Sequence, residues 1–166
     1  MTAPLLVFGW GNPSRGDDAL GPLFVEMLQG LVGGGLAGRV DFLDDYQLQI
    51  EHALDLVGRS AVLFVDASLV CASPFEVTTL RPSRDASFSS HALSPQSVMQ
   101  VYRDLYRQDP APCTLLAIRA ARFGLGECPD PGSLSNLTQA LAWGRRWLAH
   151  AREPSHVPDV ATRDLA

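Results

Sequence analysis

The sequence predicts an α/β fold: a three-layer α/β/α sandwich around a mainly parallel, twisted, five-stranded sheet. Three observations lead there. Short apolar runs of strand length recur along the 166 residues. Apolar residues between them recur at helical spacing. The two kinds of segment alternate, as parallel strands joined by crossover helices require. With 46% apolar residues the chain can fill one core, and its length suits one domain.

The first strand is Leu5, Leu6, Val7 and Phe8, ended by Gly9, and it reads as a central strand. Leu20, Leu23, Phe24, Met27, Leu28 and Leu31 then mark one face of an amphipathic helix, stopped at Gly33-Gly34-Gly35. Residues 40–43 form a second strand, followed by Asp44-Asp45. Ile50, Ala53, Leu54 and Val57 predict a second helix. Residues 61–65 are a third apolar strand, followed directly by Asp66, and residues 75–80 a fourth, alternating strand near an edge. A loop rich in Ser and Arg ends at His91. Ser94-Pro95 reads as an N-cap with proline at the first helical position, ahead of Val98, Val101, Tyr102 and Leu105. Residues 114–118 are a fifth strand, and Leu134, Leu137, Leu141, Leu148 and Ala151 lie along a last helix. The domain spans residues 1–152. Residues 153–166 are expected to be a flexible tail that contributes little to folding.

Composition excludes several function classes. A net charge of −5 without any basic run argues against nucleic-acid binding. The apolar runs are too short to insert into a bilayer. There is no lysine, so a P-loop lysine, a Schiff base and a lysine general base are all excluded. Cys71, Cys113 and Cys128 are odd in number and form no C-x-x-C pair, which speaks for reduced thiols in a cytoplasmic protein. The first eight residues lack a basic n-region and read as a strand, not a signal peptide.

The segment Gly9-Trp10-Gly11-Asn12-Pro13-Ser14-Arg15-Gly16-Asp17-Asp18 joins the first strand to the first helix. It is not a dinucleotide fingerprint, because serine holds position 14 and two acids would repel a pyrophosphate. Acids in a first helical turn also suit the helix dipole, and that ordinary explanation serves one of the pair. Asp18 and Asp66 both follow central strands, whose carboxyl ends border the ligand crevice of an open α/β sheet. For Asp66 an N-cap is the competing explanation. His91 lies on a loop that can face the same edge. His52 sits within the expected second helix, and His150 and His156 lie at the last helix end and in the tail. Two carboxylates and one imidazole suit a borderline divalent metal and leave positions open for water or substrate. Asp17 is expected to support this site, by capping the helix or bonding the Asn12 loop. Neighbours at a helix start point about 100° apart, so both acids cannot easily face one ion.

Val7-Phe8-Gly9-Trp10-Gly11-Asn12, Gly16-Asp17-Asp18-Ala19-Leu20-Gly21, Val65-Asp66-Ala67 and Ser90-His91-Ala92-Leu93 together resemble the signature of the [NiFe]-hydrogenase maturation endopeptidases, peptidase family M52. The likeness covers the first 150 residues or so in element order. Asp44-Asp45-Tyr46-Gln47-Leu48-Gln49-Ile50-Glu51 looks like the branch serving soluble, NAD-linked bidirectional hydrogenases. The resemblance implies a metal-dependent, aspartyl-type endopeptidase that removes the C-terminal extension of the large-subunit precursor after nickel insertion. It implies Asp18, Asp66 and His91 as catalytic and metal-binding residues. Many relatives carry glutamate where Asp18 stands. Nickel is then supplied by the substrate and is not held tightly by the free enzyme. Two other readings are a self-sufficient metal-dependent hydrolase and a non-enzymatic chaperone for the nickel-loaded large subunit.

Overall fold

The computed structural model describes residues 2–84 and 93–151. The tail expected from residue 153, His91 and His156 lie outside the described residues. Five strands form one sheet in the order β2-β1-β3-β5-β4: β1 Leu5–Trp10, β2 Val40–Asp45, β3 Ala61–Ser68, β4 Phe75–Thr79 and β5 Cys113–Arg119. All neighbours pair in parallel except β4, which runs antiparallel to β5 at one edge. Among the described residues three α-helices flank the sheet: α1 Leu20–Val32, α2 Pro95–Tyr106 and α3 Pro131–Ala151. The mixed α/β sandwich and the mostly parallel five-stranded sheet match the expectation.

Strand alternation divides the core between two faces. Leu5 and Val7 point, with Leu63, Val65, Leu116 and Ile118, toward α1 and α3. Leu6 and Phe8 point, with Val62 and Phe64, toward α2 and the 3₁₀ segment Ile50–Leu56. Burial on both faces makes β1 read as an unbroken apolar run. Phe8, Phe24 and Phe64 are fully buried, each adding roughly 1.5–3 kcal/mol from burial alone.

Residues 16–36 are long and apolar enough to cross a membrane by length and composition. This segment exceeds the short apolar runs visible residue by residue. In the fold it comprises α1 and its flanking 3₁₀ turns, and it buries Leu20, Phe24, Val25 and Leu28 in the core.

Two details depart from the expected helices. The buried arc of α1 is turned toward Gly21 and Val25, leaving Met27 and Leu31 43% and 51% exposed. The second helix is the 3₁₀ segment Ile50–Leu56. With three residues per turn, Ala53 and Leu56 share the inward face and Leu54 is turned outward; Ile50, at the first position of the segment, is exposed as well.

The turning of α1 has a steric cause. A Cβ on Gly9 would overlap the Gly21 carbonyl and lie 2.8 Å from Val25 Cγ2. A Cβ on Gly21 would overlap the Trp10 carbonyl and lie 3.0 Å from the Val65 carbonyl oxygen. The first turn of α1 therefore rests directly on the ends of β1 and β3. Gly21→Ala should cost more than about 2 kcal/mol in denaturant unfolding, since backbone must move. Gly30→Ala, in the same helix with open space around it, should instead stabilise by about 0.5–1 kcal/mol.

Candidate active site

β1 lies between β2 and β3, so the connections leaving β1 and β3 part on opposite sides of a crevice at the carboxyl edge. Asp18 is carried there by the 3₁₀ turn Gly16–Ala19, between β1 and α1. Asp66 is carried by β3. It does not follow the strand, as the apolar run suggested, but lies inside it, paired with Ala117 of β5. Val65 and Ala67 are buried while Asp66 and Ser68 are half-buried, so the alternation simply continues with polar residues on one face.

The turn that presents Asp18 is built from β1 outward. Gly11 leaves the strand at φ +146°, and its N–H donates to the Asp45 carbonyl of β2 at 3.0 Å. The next N–H, of Asn12, donates to Asp18 Oδ2 at 2.8 Å. The Asn12 side-chain oxygen accepts from Ser14 N at 2.9 Å, which tightens the loop. Neither the 3₁₀ turn nor α1 carries a side-chain N-cap bond, so Asp18 serves the loop and not the helix end.

Asp18 and Asp66 act on each other electrostatically. Burial pushes the Asp66 carboxyl up, the Asp18 charge pushes it further, and the Ala67 N–H partly offsets both, leaving it at about 7. The Asp18 charge thus bears on a carboxyl that burial already disfavours as an anion, and a divalent cation would relieve the conflict. His91, the third expected ligand, lies outside the described residues. Among the described residues no three His, Cys, Asp or Glu side chains gather closely enough to hold a metal ion.

Asp17 does neither of the two things expected of it. It bonds neither the helix end nor the Asn12 loop. Its carboxylate is fully buried and turned away from Asp18, toward the segment between β5 and α3. Oδ2 accepts from Ala121 N at 2.6 Å, Arg122 N at 3.2 Å and Ser133 Oγ at 2.6 Å, and Oδ1 accepts from Asp130 N at 2.6 Å. Burial alone would raise its pKa, but the bonds from Ser133, Ala121, Asp130 and Arg122 outweigh burial and hold it below the usual carboxylate range. The loops are pinned further where Gly16 N donates to the Glu127 carbonyl and Gly126 N to the Ser14 carbonyl.

No protein-family model and no curated protein matches the chain. Solved structures share its fold. The [NiFe] hydrogenase maturation protease HycI from Thermococcus kodakarensis KOD1 is 23% identical, with a TM-score of 0.67 over 89% of this chain and 93% of that one. The hydrogenase maturating endopeptidase HybD from E. coli is 21% identical, with a TM-score of 0.70 over the same shares. A hydrogenase 2 maturation peptidase from a Thaumarchaeota archaeon is 19% identical, with a TM-score of 0.63 over 87% and 97%. At these identities the likeness is one of fold.

One pair at this edge had no expected role. His52 Nδ1 accepts from Gln49 N at 2.8 Å, and its other ring nitrogen lies 3.2 Å from Asp45 Oδ2. The spacing Gln49-x-x-His52 is a capping-box arrangement, a signal the helix-face reading passes over. Ser133 had no comparable signal, since it stands 116 residues from the carboxylate it serves.

The two acids predict opposite responses to substitution. Asp17 has a depressed folded pKa, so its stabilisation is present above the unfolded value of 3.8 and is lost as pH falls through the folded one. Asp17→Asn should lower the melting temperature sharply at pH 7, because an amide donor would meet a cluster of donors. Asp66 has a raised folded pKa, so ionising it costs stability progressively from pH 3.8 upward, fully so above about 7. Asp66→Asn should therefore raise the melting temperature, by more at pH 8 than at pH 5. A fall at pH 8 would show that Asp66 has stabilising partners in place of a charge conflict.

Proposed function

We propose that the chain is an endopeptidase of [NiFe]-hydrogenase maturation, removing the C-terminal extension of the large-subunit precursor once nickel is in place. The observation that carries this reading is that Asp18, on the turn after β1, and Asp66, in β3, come to the switch point of the sheet, where the Asp18 charge helps push the Asp66 carboxyl up. It occurs in a fold shared with structures described as hydrogenase maturation proteases. The motif resemblance adds His91 as the third ligand and nickel as part of the substrate.

On this reading the fold holds the turn and strand that carry the two carboxylates, and the substrate supplies the ion. Asn12 N–H donates to Asp18 Oδ2, which orients the carboxylate and leaves its second oxygen for a ligand. A divalent ion polarises the scissile carbonyl and lowers the pKa of a bound water. Two oxygens and an imidazole make a weak nickel site on their own, whereas thiolates from the substrate would complete it. Activity then waits on the metal, and the precursor is cut only after assembly. A branch specific to soluble NAD-linked hydrogenases and a cytoplasmic location accompany this proposal.

The test is a mass measurement on purified precursor. The wild-type enzyme, stripped with chelator and dialysed, should shorten nickel-loaded precursor and leave nickel-free precursor intact. Asp18→Asn, Asp66→Asn and His91→Ala should each slow cleavage by about 100-fold or more. Asp17→Asn should keep more activity than Asp18→Asn. Rapid cleavage of nickel-free precursor would overturn the substrate-metal mechanism in favour of a self-sufficient hydrolase. Binding of loaded precursor with no loss of mass would favour a chaperone.

A further inference from the structure

Beneath the crevice, on the α2 side of the sheet, one imidazole is bonded at both nitrogens. His52 is 13% exposed, and its ring meets Phe8 of β1 edge-on with centroids 4.6 Å apart. Because Nδ1 accepts the Gln49 N–H, the neutral ring carries its proton on Nε2. Nε2–H therefore donates to Asp45 Oδ2 at 3.2 Å. Asp45 Oδ1 accepts the Tyr46 N–H at 2.7 Å, so both oxygens of that carboxylate are used. The same residue's carbonyl accepts the Gly11 N–H, one residue before the Asn12 N–H that holds Asp18.

We propose that His52 is a positioning residue for Asp18, acting through Asp45 and the Gly11-Asn12 backbone. The inference rests on the endopeptidase reading above and adds a residue outside the crevice to it. The path is short and continuous. The ring fixes the Asp45 side chain at the end of β2. Asp45 fixes the acceptor that receives Gly11 where β1 leaves the sheet. Gly11 and Asn12 aim the N–H that orients the Asp18 carboxylate. Every link is a hydrogen bond or a short covalent step within Asp45 or the Gly11-Asn12 backbone, and the ring's other nitrogen and its contact with Phe8 keep it from rotating. Loosening the first link displaces Asp18 without removing any group from the crevice, so it should act on turnover and not on substrate binding.

Three variants separate the two nitrogens. His52→Phe keeps a ring against Phe8 and removes both bonds. His52→Gln places an amide nitrogen near the Nε2 position and can still donate to Asp45. His52→Asn places an oxygen near the Nδ1 position and can still accept from Gln49. With nickel-loaded precursor as substrate, His52→Phe and His52→Asn should lower kcat by about tenfold with KM within about twofold. His52→Gln should recover most of the lost kcat. Amide exchange at Gly11 and Asn12 should quicken in the Phe and Asn variants and stay slow in the Gln variant. Wild-type kcat in His52→Phe would overturn the proposal, as would equal losses in the Gln and Asn variants, which still decide the matter if the Phe variant does not fold. If the wild-type enzyme leaves loaded precursor uncut, the endopeptidase reading fails. The exchange rates then judge His52 alone: faster exchange at Gly11 and Asn12 in the Asn variant supports its positioning role, and unchanged exchange overturns it.

Discussion

The candidate site depends on a carboxylate that takes no part in it. Asp17 is fully buried, and an ionised carboxylate there is tolerable only because four donors converge on it, three from the segment between β5 and α3 and Ser133 from the first turn of α3. That convergence fastens the turn after β1 to the start of α3. A turn pinned on one side by Asp17 and on the other by the Gly9–Gly21 contact has little freedom left. Asp18, the next residue, inherits its direction from both.

Against this rigid frame stands an arrangement that works against folding. Asp66 is driven toward protonation by its own burial and by Asp18. A chain selected for stability alone would replace one of the pair, and nothing in the core requires either. Strain of this kind persists where the surroundings over-determine it, and here the surroundings are central strands and a turn locked at both ends.

Much of this was legible in the sequence, and what was missed has a common cause. Periodicity revealed the strands because burial on both faces leaves a continuous apolar run, and it placed β4 near an edge because its apolar and polar residues alternate. The acidic end of the third run gave Asp66, although the strand continues past it to Ser68. The 3₁₀ segment Ile50–Leu56 escaped because four apolar residues at helical spacing fit an α-helix equally well. The partners of Asp17 escaped because they lie 104 to 116 residues away and three of the four are backbone groups, which leave no trace in residue identity. His52 was discounted for lying in a helix, yet at an N-terminal turn the third residue's side chain reaches back to the backbone.

The competing explanation for paired acids before a helix was capping, and the structure shows how a capping acid and a ligand acid part company. A capping carboxylate bonds an N–H of its own helix and is thereby held along the helix axis. Asp18 bonds instead an N–H six residues upstream, on the loop rising from β1. That choice of donor draws the carboxylate off the axis and over the strand ends, where Asp66 feels its charge. The helix dipole still favours an acid there, which offsets part of the repulsion between the two acids. One position thus satisfies both the rule for helix starts and the demand of a charged crevice, and only the identity of the donor tells the two apart.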